Sequence, residues 1–124
     1  MHEISLIDNL LESVLPEVET QRSLGRNVRG LALTIGAMEL HSAEAFRQAF
    51  TVQTSDTPLA GAGLELTIIQ PEVNCPSCGF HGPFPGDRID PHNPDPIMEC
   101  PACSSPAAVA GGRGIQQVEL LLVE

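Results

Sequence analysis

The sequence lacks tryptophan and tyrosine, and four phenylalanines supply its whole aromatic content of 3%. Basic residues are also few, because 6 arginines and lysines stand against 16 aspartates and glutamates, leaving a formal net charge of −10. Nucleic-acid binding relies on a basic surface, and often on aromatic stacking against bases. This composition therefore argues against a nucleic-acid partner, and we interpret the acidity as a feature that favours solubility.

Long hydrophobic runs are missing as well. The longest unbroken apolar stretches span only a few residues, as at 120–123, whereas a membrane-spanning helix needs about 20. The opening segment MHEISLIDNLLES has no basic leader and no small-residue cleavage site, so it does not predict a signal peptide. We expect a cytoplasmic protein with no membrane partner, and its length of 124 residues suits a single domain.

Hydrophobic periodicity predicts an α/β (α+β) fold with two helices on a three-stranded sheet. Apolar residues recur at spacings of three and four in the first helix, where Pro16 is expected to kink or divide the pattern. Ser42 is a suitable N-cap for the second helix, and Phe46 and Phe50 share its buried face. The last strand is too apolar to stand alone, so we expect it to join the first two strands. The predicted elements are helix 4–22 ending near Gly25, strand 28–36, a helix from Ser42, strand 64–69 and strand 115–123.

Residues 71–114 differ in composition, since they contain all four cysteines and most of the eleven prolines. Helix and strand periodicity disappears there, apart from what short hairpins supply. We therefore expect that this block cannot make a conventional core and that something else orders it. The simplest arrangement is a small domain inserted between the second and third strands.

The cysteines form two CxxC pairs, Cys75-Pro-Ser-Cys78 and Cys100-Pro-Ala-Cys103. Each pair places two thiolates on one side of a tight turn, and two such turns complete the tetrahedron of a zinc-ribbon-like site. Gly79 suits the unusual backbone after the first pair. Four thiolates leave no open coordination position, so the ion is expected to be structural rather than catalytic.

Other interpretations of this block remain open. The cysteines could form two disulfides, although these require an oxidising compartment. One pair could be a thioredoxin-like redox motif, although such a motif does not need a second matching pair. The four thiolates could also hold iron, as in rubredoxin, because tetrahedral sulfur ligation suits both metals. The loop 79–99 between the pairs holds five prolines, His81 and His92. We interpret it as a stiff surface excursion, with a metal or partner contact through either histidine as the alternative.

The start of the sequence, Met1-His2-Glu3, is the second informative feature. A free α-amine, the backbone nitrogen of residue 2 and the imidazole Nδ1 of His2 can chelate one ion in low-strain rings. Square-planar nitrogen ligation of this kind suits Ni(II) or Cu(II). The backbone nitrogen of Glu3, or an outside side chain, can fill the fourth position. A histidine at position 2 is by itself a weak signal.

The combination of these features resembles the HypA/HybF family of nickel-delivery proteins for [NiFe]-hydrogenase maturation. The segments that carry the resemblance are MHEISL, VRGLALTIG, SAEAFRQAF and the late CxxC…CxxC before a short apolar strand. The resemblance implies that Met1 (through its amine), His2 and Glu3 bind nickel and that the four cysteines bind zinc. It also implies a nickel-binding α/β domain, residues 1–70 plus 115–124, and a zinc-binding domain, residues 71–114.

The function implied by the resemblance is delivery of nickel to the immature hydrogenase large subunit, working with a GTPase accessory protein. Some members also serve urease. Ni(2+) is then a transferred cargo, and Zn(2+) is a structural cofactor. We expect the protein to be a monomer or a weak homodimer. We expect no enzyme, because the chain has no phosphate loop, nucleophile elbow or convergent acid–base set. The gap between the cysteine pairs is longer and richer in proline than is usual in the family. A zinc-ribbon interaction module without nickel transfer and a rubredoxin-like iron protein are the alternatives.

Overall fold

A computed structural model of the chain describes residues 2–40, 42–90 and 92–123. Its helices and strands follow the order α1 (His2–Ser23), β1 (Val28–Gly36), α2 (Ala43–Thr54), β2 (Gly63–Ile69), β3 (Glu72–Asn74), β4 (His81–Pro83), β5 (Ile97–Glu99), β6 (Pro106–Ala110) and β7 (Ile115–Leu122). Two compact units are formed. The first comprises residues 1–34, 40–67 and 116–124, and the second comprises residues 35–39 and 68–115.

Helix α1 buries the predicted apolar stripe in the first unit. The side chains with 0–7% exposure are Ile7, Leu10, Leu11, Val14 and Val18. The helix ends in a Schellman motif, in which the Arg26 N–H donates to the Gln21 carbonyl at 2.9 Å and the Gly25 N–H donates to the Arg22 carbonyl at 3.0 Å. Gly25 takes the positive φ of 79° that this motif requires. The predicted stop at Gly25 is confirmed.

Pro16 does not divide the first helix, because α1 runs from His2 to Ser23 with Pro16 inside it; a kink at Pro16 stays a prediction. Proline removes the N–H donor that would bond to the carbonyl four residues earlier, which belongs to Glu12. Both residues lie on the exposed side of the helix. Water can therefore bond to the Glu12 carbonyl, and the buried stripe on the opposite face holds the helix together.

Strand β1 lies in the middle of the predicted three-stranded sheet, whose order is β2-β1-β7. Its side chains alternate as predicted, with Leu31, Leu33 and Ile35 at most 1% exposed. Hydrogen bonds join both ends of β1 to β7, because Val123 N–H donates to the Asn27 carbonyl and Gly36 N–H donates to the Gly114 carbonyl, each at 2.8 Å. The two strands are therefore antiparallel, and the predicted return of the last strand to this sheet is confirmed.

Helix α2 connects β1 to β2. Ser42 caps it as predicted, since the Ser42 Oγ accepts a hydrogen bond from the Ala45 N–H at 3.0 Å. Phe46 and Phe50 are 0% and 2% exposed on its inner face. At the start of β2, Gly63 lies so close to Gly30 that a Cβ on Gly30 would be 2.7 Å from the Gly63 carbonyl oxygen. Both glycines lie near the beginning of their strands, which indicates that β1 and β2 are parallel across the helical crossover.

The second unit contains a four-stranded antiparallel sheet in the order β4-β3-β6-β5. Val73 in β3 lies opposite Gly82 in β4 and Val109 in β6. Met98 in β5 lies opposite Ala107 in β6. Short 3₁₀ turns at Ala37–Glu39 and Gly86–Arg88 contact each other beside the sheet.

This unit has a hydrophobic core, so the expectation that residues 71–114 cannot make one is wrong. The buried cluster consists of Met38, Val73, Cys75, Phe84, Ile89, Cys100, Ala107 and Val109, with Phe80 and Met98 packed against it. Phe84 and Ile89 come from the segment interpreted as a surface excursion and are 5% and 6% exposed. The loop between the cysteine pairs therefore contributes side chains to the core of its own unit.

The two compact units are a property of the contacts within the chain. The division into a nickel-binding and a zinc-binding domain is a statement about function, and it stays a prediction.

Neither of the two helices in the described part of the chain has the length and apolar character needed to cross a membrane.

Candidate metal centre

Each cysteine pair lies at the turn between two strands of the second unit. Cys75 follows β3 and Cys78 comes shortly before β4, while Cys100 follows β5 and Cys103 comes shortly before β6. The two turns have the same hydrogen bonds. Cys75 N–H donates to the Phe80 carbonyl, and Cys100 N–H donates to the Ser105 carbonyl, both at 2.9 Å. The chain thus builds one knuckle twice, once in each hairpin.

The residue after each pair closes its knuckle with a positive φ. Gly79, with φ 79°, donates its N–H to the Cys75 carbonyl at 2.9 Å. Ser104, with φ 65°, donates its N–H to the Cys100 carbonyl at the same distance. The expectation for the Gly79 backbone is confirmed. Ser104 has the same conformation without the freedom of glycine.

The knuckles bring the four cysteine sulfurs together, with all Sγ atoms within 4.8 Å of one another. Sγ of Cys75 is 3.6 Å from Sγ of Cys103, and Sγ of Cys78 is 3.6 Å from Sγ of Cys100. Zn–S distances of about 2.3 Å in a tetrahedron place sulfurs about 3.8 Å apart. The spacing therefore fits a tetrahedral metal ion, and all four cysteines are free thiols rather than disulfides.

Burial divides the four ligands into two inner and two outer groups. Cys75 and Cys100, the first residue of each pair, are 4% and 1% exposed, and both belong to the hydrophobic cluster. Cys78 and Cys103 are exposed. Ala102 N–H donates to the Cys100 sulfur at 3.4 Å. Hydrogen bonds of this kind stabilise a thiolate and tune a metal bound to it.

The ionisation of the outer thiols is uneven. The pKa of Cys103 is lowered to about 6, first by a hydrogen bond from the Ser105 side chain and then by one from its backbone. The pKa of Cys78 is raised to about 12, because a lowering backbone hydrogen bond from Phe80 is outweighed by desolvation and by the neighbouring sulfurs. Sulfurs this close cannot all carry negative charge side by side unless a cation lies among them.

The proposed nickel residues lie at the start of the chain. Met1 is outside the described residues. His2 and Glu3 form the beginning of α1, and this backbone placement is all that the structure describes of them. The structure therefore does not bring Met1, His2 and Glu3 together as a described site.

The two loop histidines take different positions. His81 is in β4, where its Nδ1 contacts the Asn74 Oδ1 and its Nε2 lies 3.2 Å from the Glu72 carboxylate. His92 is exposed, and its backbone N–H donates to the Asp90 side chain at 3.0 Å. Within the described residues, neither histidine belongs to the group of clustered metal-ligating side chains.

Sequence reasoning missed Ser104 and Ser105, which shape the second knuckle. Their signal was present, because Ser104 follows its CxxC pair as Gly79 follows the first pair. Hairpins with equivalent knuckles demand the same positive φ at both positions. Aligning the two CxxC pairs in the sequence would therefore have predicted the positive φ of Ser104.

These features define a small mixed α/β protein in which four clustered cysteines form a candidate metal centre. The chain belongs to the HypA family. The family model, described as hydrogenase/urease nickel incorporation, metallochaperone, HypA, matches residues 1–121. The match covers both compact units.

Individual relatives agree with this assignment. The hydrogenase maturation factor HypA of Methanococcus vannielii is 34% identical over 109 residues, which cover 85% of this chain and 82% of that protein. The protein of the same name from Methanothermobacter thermautotrophicus is 29% identical over 103 residues, with 83% and 80% covered. The solution structure of the Ni metallochaperone HypA from Helicobacter pylori is 17% identical, has a TM-score of 0.49 and matches 98% of both chains. The family assignment rests on the sequence matches.

Proposed function

We propose that this protein is a nickel metallochaperone that binds Ni(II) at its N-terminus and delivers it for [NiFe]-hydrogenase maturation. The observation that carries the proposal is the match of residues 1–121 to a family described by nickel incorporation. That description also includes urease, which is a second possible recipient. Relatives named hydrogenase maturation factors favour hydrogenase.

Nickel is proposed to bind the α-amine of Met1, the backbone nitrogen and imidazole of His2, and Glu3. Helix α1 begins at His2, and the first N–H groups of a helix have no carbonyl one turn earlier to bond. The backbone nitrogens of His2 and Glu3 are therefore not committed to helix hydrogen bonds. This supports their use as ligands of an ion that prefers square-planar nitrogen coordination. The proposal requires a free α-amine at Met1.

The four cysteines are proposed to hold one structural Zn(2+). Sulfur separations of 3.6 Å support tetrahedral ligation, and a full set of thiolates leaves no position for a substrate. Bound zinc supplies charge neutralisation and cross-linking of the two hairpins. The chain's own part is to present the sulfurs on two matched knuckles, with the Ser105 hydrogen bonds favouring the thiolate of Cys103.

The remaining assignments follow from the proposed delivery role. The protein works in the cytoplasm with a GTPase accessory protein and with the immature hydrogenase large subunit. It is a carrier rather than an enzyme. Because the cargo must leave again, a site at the chain terminus suits transfer better than a buried one.

Nickel titration of the native protein and of His2→Ala tests the proposal, with zinc measured in the same samples. We expect one nickel per chain in the native protein, loss of that nickel in His2→Ala, and one zinc in both. The matched control is His92→Ala, because His92 is an exposed histidine of the loop 79–99. It should retain nickel binding. Loss of nickel from both variants would contradict N-terminal ligation.

A second variant tests the α-amine. Adding one residue before Met1 blocks the amine but leaves the His2 side chain in place. Nickel binding and hydrogenase maturation should both fail. If both survived, nickel ligation by Met1, His2 and Glu3 would be wrong. A native protein that bound no nickel would favour the zinc-ribbon interaction module. Iron in the isolated protein would instead favour the rubredoxin-like alternative.

A further inference from the structure

Strand β5 is an edge of the sheet in the second unit. It pairs with β6 on one side, and the order β4-β3-β6-β5 assigns it no partner on the other among the described residues. An edge strand exposes a row of backbone donors and acceptors to which a further strand can add. Proteins commonly block such edges with very short strands, charged side chains, proline or a bulge. Strand β5 is short and carries Glu99, but residues Ile97–Glu99 contain neither proline nor lysine.

The hydrogen bonds between β5 and β6 show which backbone N–H and carbonyl groups of β5 point away from the sheet. Val109 N–H donates to the Pro96 carbonyl at 3.1 Å, and Cys100 N–H donates to the Ser105 carbonyl at 2.9 Å. Because these bonds alternate along an antiparallel pair, Met98 bonds to Ala107 between them. The N–H and carbonyl groups of the two intervening residues, 97 and 99, therefore point away from β6. They form a short ladder ready for a partner strand.

The side chains along this edge alternate in character. Met98 faces the core. The opposite face of β5 carries Ile97, which is 64% exposed, and Glu99, which is also exposed. Ile97 also lines a shallow, mainly apolar depression of about 320 Å³, together with Ala108, Ala110 and Pro94. Alanines opposite and diagonal to Ile97 leave space for a large side chain beside it. Asp95 and Arg113 also line the depression, and Glu99 is the one charged residue of β5 itself.

We propose that β5 is a docking edge for an extended segment of a protein partner, which adds as an antiparallel strand. The segment would have a large apolar residue against Ile97 and a basic residue beside Glu99. Backbone bonding to residues 97 and 99 supplies affinity, and the two side chains supply specificity. The proposal rests on the proposed function for its probes, which are the accessory GTPase and the immature hydrogenase large subunit.

A second copy of the chain fits this edge less well. Pairing of two β5 strands would bring together two chains of formal charge −10. A partner with a basic residue at this place instead gains an opposite-charge pair across the strands.

Amide hydrogen exchange on the full, zinc-loaded protein tests the proposal, with each purified partner as a separate probe. In the free protein the amides of Ile97 and Glu99 should exchange fast, whereas the amide of Met98 should be protected. Adding the docking partner should protect both outward amides. Ile97→Lys and Glu99→Arg should each weaken binding of that partner by about tenfold or more. The matched control is Val52→Lys, since Val52 is 71% exposed on α2; it should bind normally.

The outcomes separate this proposal from the proposed function. Protection at Ile97 and Glu99 by one partner, sensitive to the edge variants and not to the control, supports the docking edge. Binding of either partner without protection of these amides by any partner overturns it, and so does the failure of both partners to bind. Protection that appears on concentrating the protein alone also overturns it, because the occupant is then a second copy. Nickel titration is unaffected by any of these results and judges the metallochaperone role independently.

Discussion

Gly79 and Ser104 occupy the same position in the two cysteine knuckles, with φ values of 79° and 65°. Each donates its N–H to the carbonyl of the first cysteine of its pair at 2.9 Å. The left-handed conformation costs an ordinary residue about 1–2 kcal/mol, a cost that glycine does not incur. The second knuckle is therefore strained at one residue where the first is not.

Exchanging these two residue types should change stability in opposite directions. Ser104→Gly should stabilise the zinc-loaded protein by about 0.5–1 kcal/mol, since relief of the strain exceeds the added entropy of the unfolded chain. Gly79→Ser should destabilise it by a similar amount. A Cβ on Gly79 meets no heavy atom within 4 Å, so backbone strain is the main cost there. Urea unfolding measures both changes, and shifts of the same sign would contradict this explanation.

Loss of one zinc ligand should unfold the second unit despite its hydrophobic core. The unit is small enough, at fewer than about 60 residues, that a hydrophobic core alone is marginal. Structural zinc contributes about 10–16 kcal/mol in finger peptides. Cys→Ala at any of the four positions, including exposed Cys103, should therefore remove zinc and the protection of residues 72–110. Hydrogen exchange at Val73 and Val109, two buried residues of the sheet, is the measurement. A cysteine variant that kept these amides protected would show that the core suffices.

Sequence periodicity predicted the helices and strands of the first unit well, because each of them buries only one face. The stripe of α1, the alternation of β1 and the Ser42 cap each produce a pattern within a few consecutive residues. Whether Pro16 divides the helix or only kinks it depends on which side of the helix it occupies. That side follows from the buried stripe, which was visible in the sequence. The cysteine spacing likewise predicted the convergence of four sulfurs, since a CxxC turn fixes its geometry locally.

The core of the second unit has no comparable local pattern. Strands of three residues are too short to show a period, and the residues that meet are far apart along the chain. Val73, Phe84 and Val109 converge only once the hairpins have formed. Met38 joins them from outside the cysteine block, after β1. Chain topology, rather than spacing, brings these side chains together.

Glu39 should stabilise the second unit through a hydrogen bond that the sequence does not suggest. Its Oε2 accepts from the Gly114 N–H at 2.9 Å in a partly buried place, just before β7. Hydrogen bonds to charged groups contribute about 1.5–3 kcal/mol, and partial exposure lowers this. Glu39→Ala should therefore destabilise the protein by about 1–2 kcal/mol. Glu39→Gln retains an acceptor and should cost less. Urea unfolding with zinc bound, and exchange of the Gly114 amide, measure the effect; equal losses in both variants would contradict it.

Nickel affinity should fall steeply on mild acidification. An imidazole and an α-amine have reference pKa values of about 6.5 and about 7.7–8.0, so protons compete with nickel at His2 and Met1 in this range. Both groups bind metal only when deprotonated. Lowering the pH from about 7.5 to about 6.0 should therefore weaken nickel binding on the order of 50-fold or more. Isothermal titration at each pH measures this, with zinc content as the control for intact protein. An affinity that did not change across this interval, with zinc retained, would exclude ligation by the terminal amine and imidazole.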